Sequence, residues 1–377
     1  MSTEKELKNK ELEALYFLRQ FPKSAIAVSF SGGKDSLVAL HLASRVGIRR
    51  AVFSDTTIES PKTIEYIKEV EAILGVKIDI VRPQKSFWEL LPMLGPPSTR
   101  HRWCCPTIKY PQLSGYAKKH NIKYYITGLR RNESLIRMEY KKIGKNPMIP
   151  YVIQVNPIID WTEDEVWGYI KKYDLPIHPN YKLGLSRNGC VICPYKSPKE
   201  LRKLKEIEPE IWGKFEEFLI TYADTMGIPN KKEFLNGGWR SWRPPTKRKI
   251  VGEVEISNSK VSFNNGLSKE NFKLLGILSN GTNLQDYQYR NKVKIIIEKE
   301  LNCIGCGACI SLCPTNALFI NPEGKIDVNL SNCIHCYACL DTSKLRGACI
   351  GRTYTLETFV VKVKDIKEKS KSPTRST

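Results

Sequence analysis

Between Ser24 and about Asp160, short apolar runs alternate with amphipathic ones, and no other feature restricts the fold of this chain as much. The apolar runs are AIAVSF, AVFSD, KIDIV and, later, KYYITG; helical periodicity lies between them, from Ser36 to Val46 and from Pro61 to Leu74. Strand-length runs separated by amphipathic helices predict an α/β domain, a parallel sheet covered by helices on both faces. Ligands of such sheets gather outside the carboxyl ends of the strands. Three polar loops fall at those ends: SFSGGKDS after the first strand, Ser54-Asp55-Thr56-Thr57 after the second, and GLRRNES, residues 128–134, after KYYIT. Together they predict a nucleotide cleft at one edge.

The first loop has the composition of an anion cradle. Gly32 and Gly33 let the backbone turn tightly and aim several N–H groups at one point, and the helix that follows adds the positive end of its dipole. It is not a Walker loop, which needs four residues between its first Gly and a Gly-Lys-Ser/Thr triplet. The candidate nucleotide-binding residues are Ser29, Ser31, Gly32, Gly33, Lys34, Asp35 and Ser36, with Asp55 and Gly128 from the other two loops. For Asp55 a capping role in the Asp-Thr-Thr segment is the competing reading.

Downstream, Trp161 to about Gly227 reads mostly helical. Thr162 and the acidic residues after it suit a helix cap, and Val166, Trp167 and Ile170 recur at the spacing of a core-facing stripe. Trp239, Arg240, Trp242 and Arg243 mix aromatic and basic side chains; stacking on bases and packing at an interface both use that mixture, and packing is the stronger expectation. From Lys247 to Glu300 a polar stretch with alternating pieces such as GEVEIS and KVKIIIEK predicts a connector with a few strands. Beyond Arg352 a lysine-rich tail predicts disorder. The expected division is an N-terminal helix over 1–23, the main domain over 24–246, the connector over 247–300, a cysteine-rich domain over 301–352 and the tail over 353–377. The N-terminus lacks the apolar core of a signal peptide and no apolar stretch reaches membrane-spanning length, so a soluble, cytoplasmic protein without a membrane partner is expected. A net charge of +21, from 60 Lys and Arg against 39 Asp and Glu, favours a polyanionic substrate or partner.

Twelve cysteines fall into two sets. Cys303, Cys306, Cys309 and Cys313, the last followed by Pro314, have the C-x2-C-x2-C-x3-C-P spacing of a bacterial-type ferredoxin, and Cys333, Cys336 and Cys339 repeat most of it. Short loops bring three thiolates to one cubane and the other run supplies the fourth. Cys303, Cys306, Cys309 and Cys349 are therefore assigned to one [4Fe–4S] cluster, and Cys333, Cys336, Cys339 and Cys313 to a second. Nine residues separate Cys339 from Cys349, where the usual run has three. A zinc module rarely shows this triple spacing followed by Pro. The other set is the adjacent pair Cys104-Cys105 with Cys190-x-x-Cys193; taken alone it fits a zinc site or buried thiols. His101 and His178 lie near these stretches, as donors to sulfur or phosphate or as satisfied surface histidines.

The stretches SFSGGKDS, SDTTIESPKTIEYIKEV, RWCCPTIKYPQL, GLRRNES and NPIIDWTEDEVWGYIKKYDLPIHPNYKLGLSRNGCVICP occur in an order that resembles the phosphoadenylyl-sulfate (PAPS) reductase family, across most of residues 24–195. That resemblance implies an adenine nucleotide alpha-hydrolase-like (PP-loop) domain with a helical C-terminal part, here joined to a small α+β ferredoxin domain. It also implies that Cys104, Cys105, Cys190 and Cys193 hold a third [4Fe–4S] cluster, as in members that reduce adenylyl sulfate. By the same resemblance Ser31 to Ser36 hold the nucleotide phosphates, and Arg130 and Arg131 meet phosphate or sulfate oxygens.

Two departures divide the functional reading. The reductases usually carry a degenerate loop, whereas SGGKDS here is intact, as in PP-loop ATP pyrophosphatases; there Lys34 would neutralise departing pyrophosphate and Asp35 would help hold Mg²⁺. The C-terminal Glu-Cys-Gly-Leu-His segment that carries the reductase nucleophile is absent. The first reading is an iron-sulfur sulfonucleotide reductase that makes sulfite, with Lys34, Asp35, Arg130 and Arg131 as catalytic residues and an electron donor feeding the ferredoxin domain. The alternative is an ATP pyrophosphatase that adenylates tRNA or another nucleic acid for sulfur insertion. The ferredoxin domain favours the first, since it needs a reaction that consumes electrons.

Overall fold

The alternation of apolar and amphipathic runs becomes one six-stranded sheet. The computed structural model describes residues 4–146, 148–243, 249–257, 260–263, 272–278, 283–340 and 357–363. The chain divides into two compact units, one of residues 1–243 with 306–312 and one of residues 244–305 with 313–377. In chain order the first unit contains α1 (Glu4–Arg19), β1 (Ile26–Phe30), α2 (Lys34–Arg45), β2 (Arg50–Ser54), α3 (Lys62–Leu74), β3 (Lys77–Val81), α4 (Phe87–Leu94), α5 (Tyr110–Lys119), β4 (Tyr124–Ile126), α6 (Leu135–Met138), β5 (Ile143–Asn146), β6 (Ile149–Val155), α7 (Glu163–Lys172), α8 (Pro179–Lys182), α9 (Pro198–Ile207), α10 (Pro209–Thr225) and α11 (Lys231–Leu235).

The strand order is β3-β2-β1-β4-β6-β5. Every neighbouring pair is parallel except β5 with β6. Side chains alternate across a strand, so both faces of β1 must be apolar if helices cover both. Ile26 and Val28 enter a core with Leu37, Leu40 and Ile67 of α2 and α3, while Ala27 enters a second core with Leu113, Tyr116 and Ala117 of α5. Val166 and Ile170 are buried in the first core and Trp167 packs against it, as their spacing predicts. The Thr162 hydroxyl accepts from Glu165 N–H while the Glu165 carboxylate accepts from Thr162 N–H, a reciprocal cap that starts α7. Ser197 and Glu200 form the same box at α9, and the helical stretch after it breaks at Glu208, with Pro209 opening α10.

The second unit contains β7 (Lys249–Ile256), β8 (Val261–Phe263), α12 (Tyr287–Leu301), β9 (Leu318–Ile320), β10 (Ile326–Val328) and β11 (Glu357–Val363). Two sequence expectations are corrected here. KVKIIIEK is not a strand piece but the body of α12, capped by Asp286, with Val293, Ile296 and Ile297 buried along one face. Its apparent alternation is overridden by flanking residues that extend the run to 15 residues, long enough for an apolar stripe of helical period. The segment read as a disordered tail contributes β11, parallel to β7 over its whole length in a sheet of order β11-β7-β8. Val361 of β11 is buried in a core with Val254, Ile256, Val293 and Ile297, which supplies the burial that its lysine-rich surroundings obscured. β9 and β10 form an antiparallel hairpin. No helix among the described residues is long and apolar enough to cross a membrane.

Candidate functional site

The loop from Ser31 to Gly33 joins the carboxyl end of β1 to α2. Gly32 takes φ +74°, a conformation that glycine adopts without strain, and Gly33 is the N-cap of α2 with no side chain capping it. The Ser36 hydroxyl donates to the Gly33 carbonyl at 2.8 Å and accepts from Ser31 N–H at 3.2 Å, folding the loop back on the first helical turn. Gly128, at the end of β4, admits no side chain: a Cβ there would lie 2.4 Å from the carbonyl carbon of Asp35. Two loops predicted from separate strand ends are thus pressed together, backbone to backbone. Ser29 lies half-buried on β1, in register with Val52 of β2.

Charge concentrates at the same place. Lys34 is 5 % exposed, with Nζ 3.3 Å from Asp35 Oδ2 and 3.2 Å from Glu163 Oε1. Arg130 is 4 % exposed and its Nε meets Asp35 Oδ1 at 2.6 Å. Both oxygens of Asp35 therefore face cations. Arg137 pairs with Glu133 and lies within electrostatic reach of Asp35; burial first, and then Arg187, lower its pKa. Arg131 does not join this group. Its guanidinium is held by Asp160 and donates to the Tyr140 carbonyl at 2.9 Å. Asp55 also stays apart, accepting from Thr57 N–H at 2.8 Å and pairing with Arg82 at 2.9 Å; it closes a local turn, while the helix that follows is capped at Pro61 and not in the Asp-Thr-Thr segment.

Cys104 caps and Cys105 opens a single π-helical turn, Cys105–Lys109. Cys104, Cys105, Cys190 and Cys193 lie within electrostatic range of one another. The hydrogen bond from Cys104, aided by Arg102 and Lys109 and opposed by burial, brings Cys105 down to about 5. Arg102 donates to the Cys105 sulfur from Nη2 at 3.1 Å and Nε at 3.3 Å. That bond to Cys105 raises Cys104, as does burial; burial, followed by Glu59, raises Cys190. Cys190 sits 3.3 Å from Thr56 Oγ1 and 3.4 Å from Glu59 Oε1. No three Cys, His, Asp or Glu side chains among the described residues are gathered closely enough for one metal ion. A cubane asks for a wider set, because each thiolate binds a different iron at a different corner. One thiol held as thiolate, three sulfurs beside it and two cations nearby fit such an anionic group.

The remaining site candidates separate clearly. In the second unit, Cys313, Cys333, Cys336 and Cys339 line one pocket with Ile277, Leu318 and Tyr337, the ligand set that the spacing predicts for one cluster. Backbone N–H groups point at sulfur: Ala317 at Cys313 from 3.2 Å, and Ile326 at Cys303 from 3.2 Å. Donors of this kind suit thiolates that carry cluster charge. Cys306 and Cys309 are half-buried, and all described cysteines are free of disulfides. Cys349 lies outside the described residues. The two histidines are structural and buried, not surface residues: His101 Nε2 is 2.8 Å from the Leu94 carbonyl, and His178 Nδ1 caps α8 while Nε2 meets Thr63 Oγ1 at 3.1 Å. Trp239 is buried against Phe215, so the tryptophan-arginine segment packs rather than stacks on bases.

Sequence reading missed the residues that tie these parts together. Tyr181 accepts from Lys34 N–H at 2.9 Å, and Asn188 Nδ2 donates to the Gly32 carbonyl at 3.2 Å, two residues before Cys190. The phosphate-type loop and the thiol group thereby share one short segment. Tyr110 links them a second way, lying within electrostatic reach of both Arg137 and Cys105. Only their place inside the quoted stretches HPNYKLGLSRNGC and RWCCPTIKYPQL marked these residues.

Residues 25–196 match the phosphoadenosine phosphosulfate reductase domain, and residues 302–342 match a 4Fe–4S dicluster domain. Adenosine 5'-phosphosulfate reductase of Bacillus cereus is 32% identical over 186 residues, which are 48% of this chain and 78% of that protein. The chain belongs to the phosphoadenosine phosphosulfate reductase family. The chain also aligns with an uncharacterized protein of Methanocaldococcus jannaschii, 34% identical over 61% of this chain and 55% of that protein, so it spans about half the length of that relative. Among solved structures, phosphoadenylyl-sulfate reductase from Candida auris covers 50% of this chain and 96% of its own, at 18% identity and a TM-score of 0.38. A ferredoxin-like region of the two-cluster type follows the reductase-family domain.

Proposed function

We propose that the protein reduces an adenylyl sulfonucleotide to sulfite, with electrons entering through the ferredoxin-like region. The observation that carries this reading is the shared segment from Asn188 to Cys190, which puts a phosphate-type loop and a four-thiol group next to each other. Cys104, Cys105, Cys190 and Cys193 would hold one [4Fe–4S] cluster, Cys313, Cys333, Cys336 and Cys339 a second, and Cys303, Cys306, Cys309 and Cys349 a third. Bound clusters supply single electrons at low potential.

The residues supply position and charge. The Gly32-Gly33 turn and the open N-terminus of α2 cradle phosphate, and Lys34 and Arg130 balance the anion on either side of Asp35. Arg137, within electrostatic reach of Asp35, and Arg187 near it add positive charge that suits a sulfate. Two electrons from a low-potential one-electron donor break the bond between the bridging oxygen and sulfur. The nucleotide leaves with that oxygen as its phosphate, and sulfur leaves as sulfite. The alternative, adenylation of a nucleic acid with release of pyrophosphate, would have Asp35 help hold Mg²⁺ and Lys34 neutralise the pyrophosphate, but its net reaction leaves the electrons of the ferredoxin-like region without a use.

One anaerobic experiment separates the two. Adenylyl sulfate, PAPS and Mg-ATP are each supplied with and without dithionite, and sulfite and pyrophosphate are measured in every tube. Sulfite from a sulfonucleotide, dependent on reductant, is expected. Pyrophosphate from ATP without sulfite, above all if tRNA stimulates it, would overturn the proposal.

A further inference from the structure

The two cysteine pairs of the first unit lie 86 residues apart in sequence, and residues beyond the family-matched span bridge the turns beside them. Arg240 lies beyond residue 196, where that match ends. Its Nε donates to the Pro194 carbonyl at 3.1 Å and its Nη2 to the Lys196 carbonyl at 2.6 Å, gripping the turn that follows Cys193. Its own carbonyl accepts from Thr99 N–H at 2.7 Å and from Thr99 Oγ1 at 3.2 Å. Two residues on, the Trp242 carbonyl accepts from Ser98 Oγ at 2.6 Å. Both contacts grip the turn that leads into Cys104. The turns also touch directly: Tyr195 donates to the Thr99 carbonyl at 3.1 Å, and its ring lies 4.8 Å beneath the Arg102 guanidinium that binds Cys105.

The brace is itself anchored. Trp239 is 1 % exposed, with its ring 5.0 Å from Phe215 of α10, and Gly238 has no room for a side chain against the Glu233 carbonyl. A planar guanidinium delivers two donors in a fixed fork, which a lysine cannot copy. We infer that Arg240 is a positioning residue that sets the distance between the Cys104-Cys105 and Cys190-Cys193 pairs and so governs how firmly they retain their metal group. This rests on the reading that these four cysteines hold a cluster. Outer partners that orient metal ligands change metal retention strongly when removed, although they never touch the metal.

The test compares full-length chains purified without oxygen: wild type, Cys104→Ser/Cys105→Ser, Arg240→Ala, Arg240→Lys, Tyr195→Phe and, as a control for general destabilisation, Leu15→Ala. Iron per chain, the rate of iron release to a chelator and the electron paramagnetic resonance of the reduced protein are measured. The double cysteine variant should lose about a third of about twelve irons. Arg240→Ala should release that same third at least about tenfold faster than wild type and alter its resonance, leaving the other two thirds unchanged. Arg240→Lys should fall between, Tyr195→Phe should shift the rate in the same direction by less, and Leu15→Ala should release iron at the wild-type rate. If the cysteine variant loses its third while Arg240→Ala and Tyr195→Phe release iron like wild type, Arg240 is no brace. If the cysteine variant keeps all its iron, the cluster reading falls and the inference with it. Accelerated release from Leu15→Ala as well would reduce the Arg240 effect to loss of stability and overturn the assignment.

Discussion

At the scale of single residues, Gly128 is the most exposed to test. A methyl group placed 2.4 Å from the Asp35 carbonyl carbon cannot be absorbed by a rotamer change, because the obstruction is backbone. Gly128→Ala must push the third loop off the first, and nucleotide binding measured by calorimetry should be lost while far-ultraviolet circular dichroism is kept. Lys34→Ala acts differently. It removes a buried cation and leaves Asp35 paired with Arg130 alone, so turnover should fall by about 10²-fold or more with the fold intact. His178 gives a pH signature. Burial, and then Lys62 and Lys196, push its pKa down to about 4. The unfolded chain takes up a proton near 6.5 that the folded ring refuses, so stability is full above about 6.5 and falls as pH drops toward 4. His41, also pushed down to about 4 by burial and Arg45, adds to the same window. The thermal midpoint should drop on acidification across it, and His178→Asn, which keeps a capping acceptor, should flatten part of the slope.

At the scale of elements, legibility follows from how much of the physics is local. AIAVSF and KIDIV carry their own apolar pattern and become β1 and β3, and the Thr162 cap is written in four consecutive residues. Thr162→Ala should cost about 1 kcal/mol, read from denaturant midpoints. The glycine-rich loop was legible for the same reason. What was not legible depends on partners distant in sequence. Arg130 and Arg131 are neighbours with equal claims on an anion, and only Asp35 on one side and Asp160 on the other send them to different places. Asn188, Tyr181 and Arg240 act through backbone groups that sequence cannot pair. α12 and β11 were misread because three short strands and a helix share one core, and neither its alternation nor its lysines reveal which face is covered. Val361→Asp would bury a charge in that core and should cost about 3 kcal/mol or more, seen as early unfolding of the second unit in calorimetry.

At the scale of the whole molecule, a net charge of +21 acts on any anionic substrate before contact. Attraction between exposed charges is screened over about 10 Å at 0.1 M salt, whereas pairs inside the cleft are screened much less. If the proposed sulfonucleotide is the substrate, raising salt should therefore raise its KM and leave kcat nearly unchanged in steady-state assays. A basic surface also attracts nucleic acid without specificity, so weak RNA binding that vanishes with salt would not argue for an RNA substrate.

The parallel pairing of β11 with β7 has a consequence for how the protein is made. A chain leaves the ribosome from its N-terminus, and every cysteine precedes Glu357 in the sequence. β7 waits, with its neighbour on one side missing, until β11 emerges and pairs with it. Pairing across about a hundred residues is slow, because loop closure must be paid for before the contact rewards it. From the emergence of Cys349 until β11 pairs, then, the cysteine-bearing segments are complete while β7 is still open along one edge. That interval is a natural window for cluster delivery, and β11 is the bolt that slides home after it.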